Sequence, residues 1–181
     1  MLDASQSEGD TTIFYQRSLR ELWSTPREEE PSPLAKQWQQ QYPGLFDDDD
    51  LRLTIAKGHW NYHFNEWFTA IHLFERHGAI SMVEKYDQRS HVRKFGRYER
   101  FTTEEQRLEL ARICKEKIDG KGVQLPDLFV MSRDDAAFWF VETKRPHEPV
   151  SLQQAVSHKK IRAMDLRVDV ITVEPIDIKP H

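Results

Sequence analysis

The spacing of apolar positions predicts one buried helix near the middle of the chain. Apolar side chains recur every three or four residues over residues 61–77, which is the pattern of one buried helix face, and Gly78 follows as a stop signal. Glu66 lies off the centre of this apolar stripe, so its carboxylate is expected at the margin of the core. Residues 80–86 are predicted to form a short strand after the helix.

The second half of the chain predicts a β-hairpin followed by a helix and a strand. Apolar runs at residues 125–131 and 137–141 flank a polar turn at residues 132–135, which is typical of two strands joined by a short loop. Ser151 opens a helix predicted over residues 151–164, and residues 168–173 form a last, partly alternating strand. This order of elements predicts a mixed α/β domain.

Between the two halves the sequence contains a basic connector and a further helix. Residues 88–100 are rich in basic and poor in apolar side chains, and Thr102 with Glu105 has the capping-box pattern that opens a helix towards Asp119. The connector forms either a loop that binds nucleic-acid phosphates or a solvated linker. Its basic residues are Arg89, Arg93, Lys94, Arg97 and Arg100.

Charge divides the chain into two unequal regions. Residues 1–50 carry a formal charge of −7 and are predicted to be a polar leader, partly disordered or wrapped loosely around the domain, with a helical pattern at residues 13–23. Residues 51–181, the predicted catalytic domain, carry +3, an excess that a cleft could present to phosphates. The aspartates at 47–50 form either a solvated face or a cation site. The sequence has no signal-peptide pattern and no membrane-spanning apolar run, which predicts a cytoplasmic protein or one secreted by a dedicated system.

The hairpin carries the candidate chemistry. A turn centred on Asp134 and Asp135 places Asp127 opposite Glu142, because directly opposed residues of an antiparallel hairpin have a constant index sum. Lys144 then projects from the same face as Glu142. Two facing carboxylates repel each other unless they share a proton or bind a cation, and such oxygen ligands suit Mg²⁺ or Mn²⁺. The group is either a metal centre for phosphodiester hydrolysis or a surface salt-bridge cluster.

These residues resemble a known nuclease signature. The pair Pro126-Asp127, followed by Glu142-Thr143-Lys144, is similar to the PD-(D/E)xK motif, and the region 122–173 resembles the VRR-NUC branch of that superfamily. Further positions that are similar to this branch are Gly122, Pro146, Ser151 and Gln154. Two departures are the long insertion at residues 88–121 and Arg167, which stands where the branch often has a glycine.

The resemblance implies a restriction-endonuclease-like fold of three layers and a Mg²⁺- or Mn²⁺-dependent deoxyribonuclease, either endo- or exonucleolytic. It implies that Asp127, Glu142 and the Thr143 carbonyl bind the metal, and that Lys144 activates or orients the attacking water. Glu66 is similar to the helix glutamate that supports the metal site in many relatives. The alternative for Glu66 is an exposed helix carboxylate.

Gln154 is expected to position the site from the following helix, or else to be a surface amide. The histidines do not form a zinc motif and are expected in packing or surface roles, while Trp60 and Trp67 are expected in the core rather than stacked on bases. The histidines concerned are His59, His63, His72 and His77.

DNA is the expected partner, with selection by DNA structure rather than base sequence. The VRR-NUC branch includes repair nucleases, phage proteins and secreted antibacterial toxins, and a toxin would have a cognate immunity protein as a partner. The rival hypothesis from another class is a catalytically silent module on the same fold that binds nucleic acid or protein. Plasmid cleavage with Mg²⁺ or Mn²⁺ against EDTA separates the two.

Overall fold

The structure, a computed structural model, describes residues 11–24, 30–55 and 63–177. In chain order, the elements of these residues are β1 (Thr11–Gln16), α1 (Arg17–Ser24), α2 (Pro33–Gln41), α3 (Asp48–Leu53), α4 (Phe64–His77), β2 (Ile80–Val83), α5 (Val92–Phe101), α6 (Glu104–Cys114), β3 (Lys117–Ile118), β4 (Lys121–Gly122), β5 (Leu128–Met131), β6 (Phe138–Lys144), α7 (Leu152–Arg162) and β7 (Val168–Ile176). None of the helices in these ranges is long and apolar enough to cross a bilayer.

Five of the strands form one mixed sheet in the order β1-β7-β6-β5-β2. The central hairpin β5–β6 and the neighbouring pair β2–β5 are antiparallel, whereas β7 runs parallel to both β6 and β1. The short strands β3 and β4 pair only with each other. This mixed sheet flanked by helices confirms the predicted α/β restriction-endonuclease-like core.

The centre of the sheet is buried on both faces, and this produces the three layers. Successive side chains of a strand point to opposite faces, so Leu128 and Val130 join one apolar cluster while Phe129 and Met131 join the other. Helices α1, α2 and α4 contribute side chains to the first cluster. Helices α5, α6 and α7 contribute to the second. Burial on both faces explains why β5 is apolar at every position rather than at alternate ones.

The amino-terminal segment belongs to the fold, and the expectation of a loosely wrapped leader was wrong for its described part. Strand β1 pairs in parallel with β7, from Thr11 opposite Ile171 onwards, and buries Ile13 and Tyr15. Trp23 of α1 is fully buried. The predicted helix at residues 13–23 begins only at Arg17, because the preceding residues gain hydrogen bonds from β7 as an edge strand. Residues 1–10 and 25–29 of the predicted leader lie outside the described residues.

The basic connector is mostly helical, which also corrects the expectation of a loop. Helix α5 buries Lys94 and Tyr98, and Tyr98 packs edge-on against Phe129 with ring centroids 5.3 Å apart. Helix α6 begins one residue later than predicted: Thr103 is the N-cap, forms a capping box with Gln106, and the helix ends at Cys114 instead of reaching Asp119. Phe95, Tyr98 and Phe101 of α5 recur at helical spacing, but the basic side chains between them dominate the segment and led to the prediction of a connector.

Several local predictions are confirmed. Helix α4 ends at Gly78, which caps it in the left-handed conformation at φ 65°. Ser151 caps α7 through a capping box with Gln154. The predicted start of α4 at residue 61, together with His59 and Trp60, lies outside the described residues. Trp67 is buried in the core as expected.

Candidate active site

The central hairpin has the register that the index-sum argument predicts. Leu128 lies opposite Val141 and Phe129 lies opposite Phe140. Asp127 therefore immediately precedes β5, at the level where β6 presents Glu142. The backbone carbonyl of Asp127 accepts a hydrogen bond of 2.8 Å from the amide of Glu84, which follows β2. The three strand ends thus meet at one end of the sheet.

Asp127 is held by β6. Its Oδ2 accepts two hydrogen bonds of 2.8 Å, one from the Thr143 amide and one from the Thr143 hydroxyl. No hydrogen bond among the described residues reaches Oδ1. Burial raises the pKa of Asp127 well above its ordinary value, and the neighbouring carboxylates of Glu142 and Glu66 raise it further, while the Thr143 hydrogen bonds act in the opposite direction.

Glu142 is almost fully buried at the centre of the group. Its Oε1 accepts hydrogen bonds from Lys144 Nζ, at 2.8 Å, and from the side-chain amide of Gln154. Its Oε2 lies 3.5 Å from Nε2 of His158, which is 4% exposed. The glutamate therefore faces cationic or polar groups on each oxygen, as a carboxylate needs when it is removed from water.

Helix α7 orients both Lys144 and Glu142. Gln154 Oε1 accepts from Lys144 Nζ at 2.9 Å and from the backbone amide of Ser151 at 2.9 Å. Ser151 and Gln154 also form the capping box that starts α7. The helix terminus therefore holds the side-chain amide of Gln154 in place. Gln154 contacts Lys144 and Glu142 and is not a surface amide without site contacts.

Glu66 reaches the same cleft from α4, on the opposite side of the sheet. Burial raises the pKa of Glu66 from 4.5 to about 7, and the negative charges of Glu84 and Glu142 add to this effect, whereas Arg20 lowers the pKa. The cleft has a volume of about 140 Å³. Its lining residues are Arg20, His63, Asn65, Glu66, Asp127, Glu142, Thr143, Lys144, Arg145, Glu148 and Gln154.

A second group with metal-binding chemistry adjoins the first. His63, Glu66 and Glu84 each offer one ligand atom, and these atoms all lie within 4.8 Å of one another. Glu66 belongs to both groups. Sequence reasoning gave His63 a packing or surface role and did not single out Glu84, because a helix start and a strand end that are distant in sequence supply them.

The basic connector does not line this cleft. Lys94 is 1% exposed and forms an ion pair with Asp50, so its expected contact with phosphate is corrected to a buried structural role. Arg93 pairs with Asp47 at 2.5 Å, and Arg97 donates to the Gly44 carbonyl at 3.1 Å. The aspartate run at 47–50 thus caps α3 and pairs with α5. The remaining two connector residues, Arg89 and Arg100, lie on the surface near Phe95 and Asp135, respectively.

His158, Arg20 and Asn65 are further residues near the site that were missed from the sequence. His158 could have been found, because it follows Gln154 by four residues and so shares its helix face. Arg20 and Asn65 could not, because their proximity depends on how α1 packs against α4: Arg20 Nη1 donates to Asn65 Oδ1 at 2.8 Å.

The fold and the cleft together define the class of a restriction-endonuclease-like protein with a PD-(D/E)xK site: Asp127, Glu142 and Lys144 converge at one end of a mixed sheet between two helical layers. The VRR-NUC domain family matches residues 74–175. The chain belongs to this nuclease family of the PD-(D/E)xK superfamily, whose members are hydrolases that act on phosphodiester bonds. Neither the curated proteins nor the solved structures gave a match to the chain. Glu66 and Arg20 lie outside the matched region.

Proposed function

We propose that this nuclease is a DNA hydrolase that depends on Mg²⁺ or Mn²⁺, and that Asp127 and Glu142 bind the ion. The observation that carries the proposal is the meeting of Asp127, Glu142 and Glu66 in one small cleft beside the ammonium group of Lys144. Carboxylates so close together repel one another, and this repulsion adds to the effect of burial in raising the pKa values of Asp127 and Glu66. A divalent cation relieves this repulsion.

The donor atoms fit a hard cation. Mg²⁺ and Mn²⁺ prefer carboxylate and carbonyl oxygens. Among the described residues, the hydrogen bonds to the Asp127 carboxylate reach Oδ2 and leave Oδ1 available to an ion. We assign the Thr143 backbone carbonyl as a further ligand and Glu66 as a supporting carboxylate. When bound, such an ion polarises a phosphodiester oxygen and lowers the pKa of its bound water.

Lys144 and Gln154 have separate roles in this proposal. Lys144 keeps its ammonium beside Glu142, where it orients the attacking water and stabilises the negative charge that develops on the phosphate. Gln154 holds both Lys144 and Glu142 through its side-chain amide. It is a positioning residue, because the helix cap fixes its own orientation.

The proposed selectivity is for DNA structure, with ends, branches and single-strand junctions preferred over a base sequence. Support comes from the cationic side chains: they suit phosphates, and phosphate contacts position a protein without reading bases. The proposed phosphate contacts are Arg89, Arg93, Arg97 and Arg100. Lys94 is no longer proposed as a phosphate contact, because its side chain is buried. A role as a phage nuclease or antibacterial toxin, with an immunity protein as a partner, stays a prediction from the resemblance.

The test compares Asp127→Asn with Asp134→Asn, which changes a carboxylate in the turn of the same hairpin. The wild-type protein should cleave plasmid DNA with Mg²⁺ or Mn²⁺ and not with EDTA. Asp127→Asn should lose at least about 100-fold in rate, because a metal ligand is removed, and it should melt at no lower a temperature than the wild-type protein. Asp134→Asn should cleave normally.

Two results would contradict the proposal. Normal cleavage by Asp127→Asn would remove the residue from the metal site. DNA binding without cleavage by the wild-type protein, with either ion, would favour the catalytically silent module. A panel of forked, hairpin and blunt substrates of matched length tests structural selectivity, and cutting at one short sequence in every substrate would exclude it.

A further inference from the structure

Helix α1 places an arginine at the wall of the active-site cleft. Arg20 lines the cleft together with Asp127, Glu142 and Lys144, although it precedes them by more than a hundred residues in the chain. It comes from the acidic segment that sequence analysis treated as a leader, and it lies outside the region matched by the nuclease family.

Neutral groups hold the guanidinium of Arg20. Its Nη1 donates to the side-chain carbonyl of Asn65 at 2.8 Å, and its Cζ lies 5.1 Å from the ring centroid of Phe64. None of the ion pairs within 4.0 Å among the described residues involves Arg20. The positive charge of Arg20 is close enough to Glu66 to lower the pKa of the Glu66 carboxyl group. An amide and an aromatic face orient an arginine without neutralising it.

The other cations are placed differently, and Arg145, which also lines the cleft, is an exposed side chain. Lys144 is engaged by Glu142 and Gln154. Arg17, one turn before Arg20 on the same helix, is exposed and pairs with Asp177 at 2.8 Å. Arg20 therefore keeps donors available in a cleft that is otherwise rich in carboxylates. A guanidinium has five N–H donors whose planar geometry suits phosphate oxygens.

We propose that Arg20 binds a backbone phosphate of the nucleic-acid substrate as the strand enters the cleft, so that the amino-terminal segment completes the substrate-binding site. This inference rests on the proposed nuclease function and adds a residue that contacts the substrate. The contact offsets the repulsion between the phosphodiester and the carboxylates of the cleft. Asn65 and Phe64 are positioning residues, because they act on the substrate only through Arg20.

The test measures binding of a fluorescent DNA duplex to the full-length protein in EDTA, so that cleavage does not contribute. Arg20→Gln should weaken binding about tenfold, the usual effect of losing one charge-assisted hydrogen bond. It should also reduce the slope of log Kd against log salt concentration by about 0.9, the value for one phosphate contact. Arg20→Lys should keep the slope and recover part of the affinity. The control Arg17→Gln should bind with the wild-type affinity and slope.

Thermal melting and the Arg20→Lys variant separate a substrate contact from a structural role. Equal losses of affinity in Arg20→Lys and Arg20→Gln, with an unchanged salt slope, would show that the residue only supports α1 and would overturn the proposal. Wild-type affinity and slope in Arg20→Gln would overturn it as well, as would the absence of DNA binding by the wild-type protein in EDTA at low salt. If the wild-type protein fails to cleave but binds DNA through Arg20, the proposed hydrolysis fails while the phosphate contact stands.

Discussion

The role inferred for Lys94 changes from a phosphate contact to a buried ion pair once its surroundings are known. In the sequence it is one of five basic residues in a connector. In the structure its ammonium is buried between the carboxylate of Asp50 and the Val83 carbonyl. Burial raises the pKa of Asp50 to about 6, although the Lys94 charge acts to lower it. The pair joins α5 to α3 and is not available to a substrate.

We predict that Lys94→Met destabilises the protein by about 3–5 kcal/mol at pH 8, because removing one member of a buried pair leaves the other charge without compensation. The loss should be smaller at pH 5, where Asp50 can take up a proton. Urea unfolding at the two pH values measures both effects. The control is Arg100→Met, whose ion pair with Asp135 is exposed and should contribute less than about 1 kcal/mol. Equal effects of the two substitutions would contradict the buried pair.

At the scale of secondary structure, the first strand and the first helix close one side of the domain. Strand β1 pairs along its whole length with β7, so that β7 lies inside the sheet and β1 forms its edge. Helix α1 then directs Trp23 into the core, where its ring packs against Trp67 with centroids 5.3 Å apart and against Trp38 at 5.5 Å. The segment therefore has a structural function in addition to the phosphate contact proposed for Arg20.

We predict that Trp23→Ala costs about 3–5 kcal/mol in the free energy of unfolding, because it empties a large, fully buried site. The adjacent Leu22 is 55% exposed on the same helix, so Leu22→Ala should change stability by less than about 0.5 kcal/mol. Chemical denaturation of the two variants provides the comparison. Similar stabilities for both would show that α1 contributes little to the folded state, and deletion of residues 1–24 would then be tolerated.

At the scale of the whole molecule, folding brings acidic groups from α4, β6 and the residue before β5 into one site. The folded state thus carries an electrostatic cost that the unfolded chain lacks, since its carboxylates are separated and hydrated. Glu66 shows this most directly, with its pKa raised from 4.5 to about 7. The protein tolerates this cost at the candidate active site, while its stability comes from the two apolar clusters.

We predict that the metal-free protein loses stability as the pH rises. A carboxyl group with a raised pKa in the folded state stabilises the protein fully below its unfolded value of 4.5, and this contribution is lost as the pH rises through about 7. The loss from Glu66 is on the order of 3 kcal/mol. Asp127 acts in the same direction.

Metal binding should reverse this trend, because the ion requires ionised carboxylates. The rise in melting temperature on replacing EDTA with Mn²⁺ should therefore be larger at pH 8 than at pH 5. Glu66→Gln should flatten the pH dependence in EDTA. A Mn²⁺ effect that is equal at the two pH values would contradict the coupling of these carboxylates to a metal site.

Much of the site could be predicted because its central part is local. Asp127 and Glu142 belong to one hairpin, whose turn sets the register of both strands, and Lys144 follows Glu142 at the two-residue period of a strand. The capping box of Ser151 and Gln154 is also visible in the sequence, since helix caps involve residues three positions apart. Such features depend on short-range geometry, which the order of residue types expresses directly.

The sequence by itself therefore determined the helix that ends at Gly78, the hairpin and its register, and the group formed by Asp127, Glu142 and Lys144. Only the tertiary structure decided that Thr11 pairs beside Ile171, that Lys94 is buried against Asp50, and that Arg20 reaches the cleft. These outcomes depend on contacts between segments far apart in the chain, and a basic or acidic residue looks the same in a sequence whether it meets solvent or a buried partner. Burial and long-range pairing gave those residues their roles.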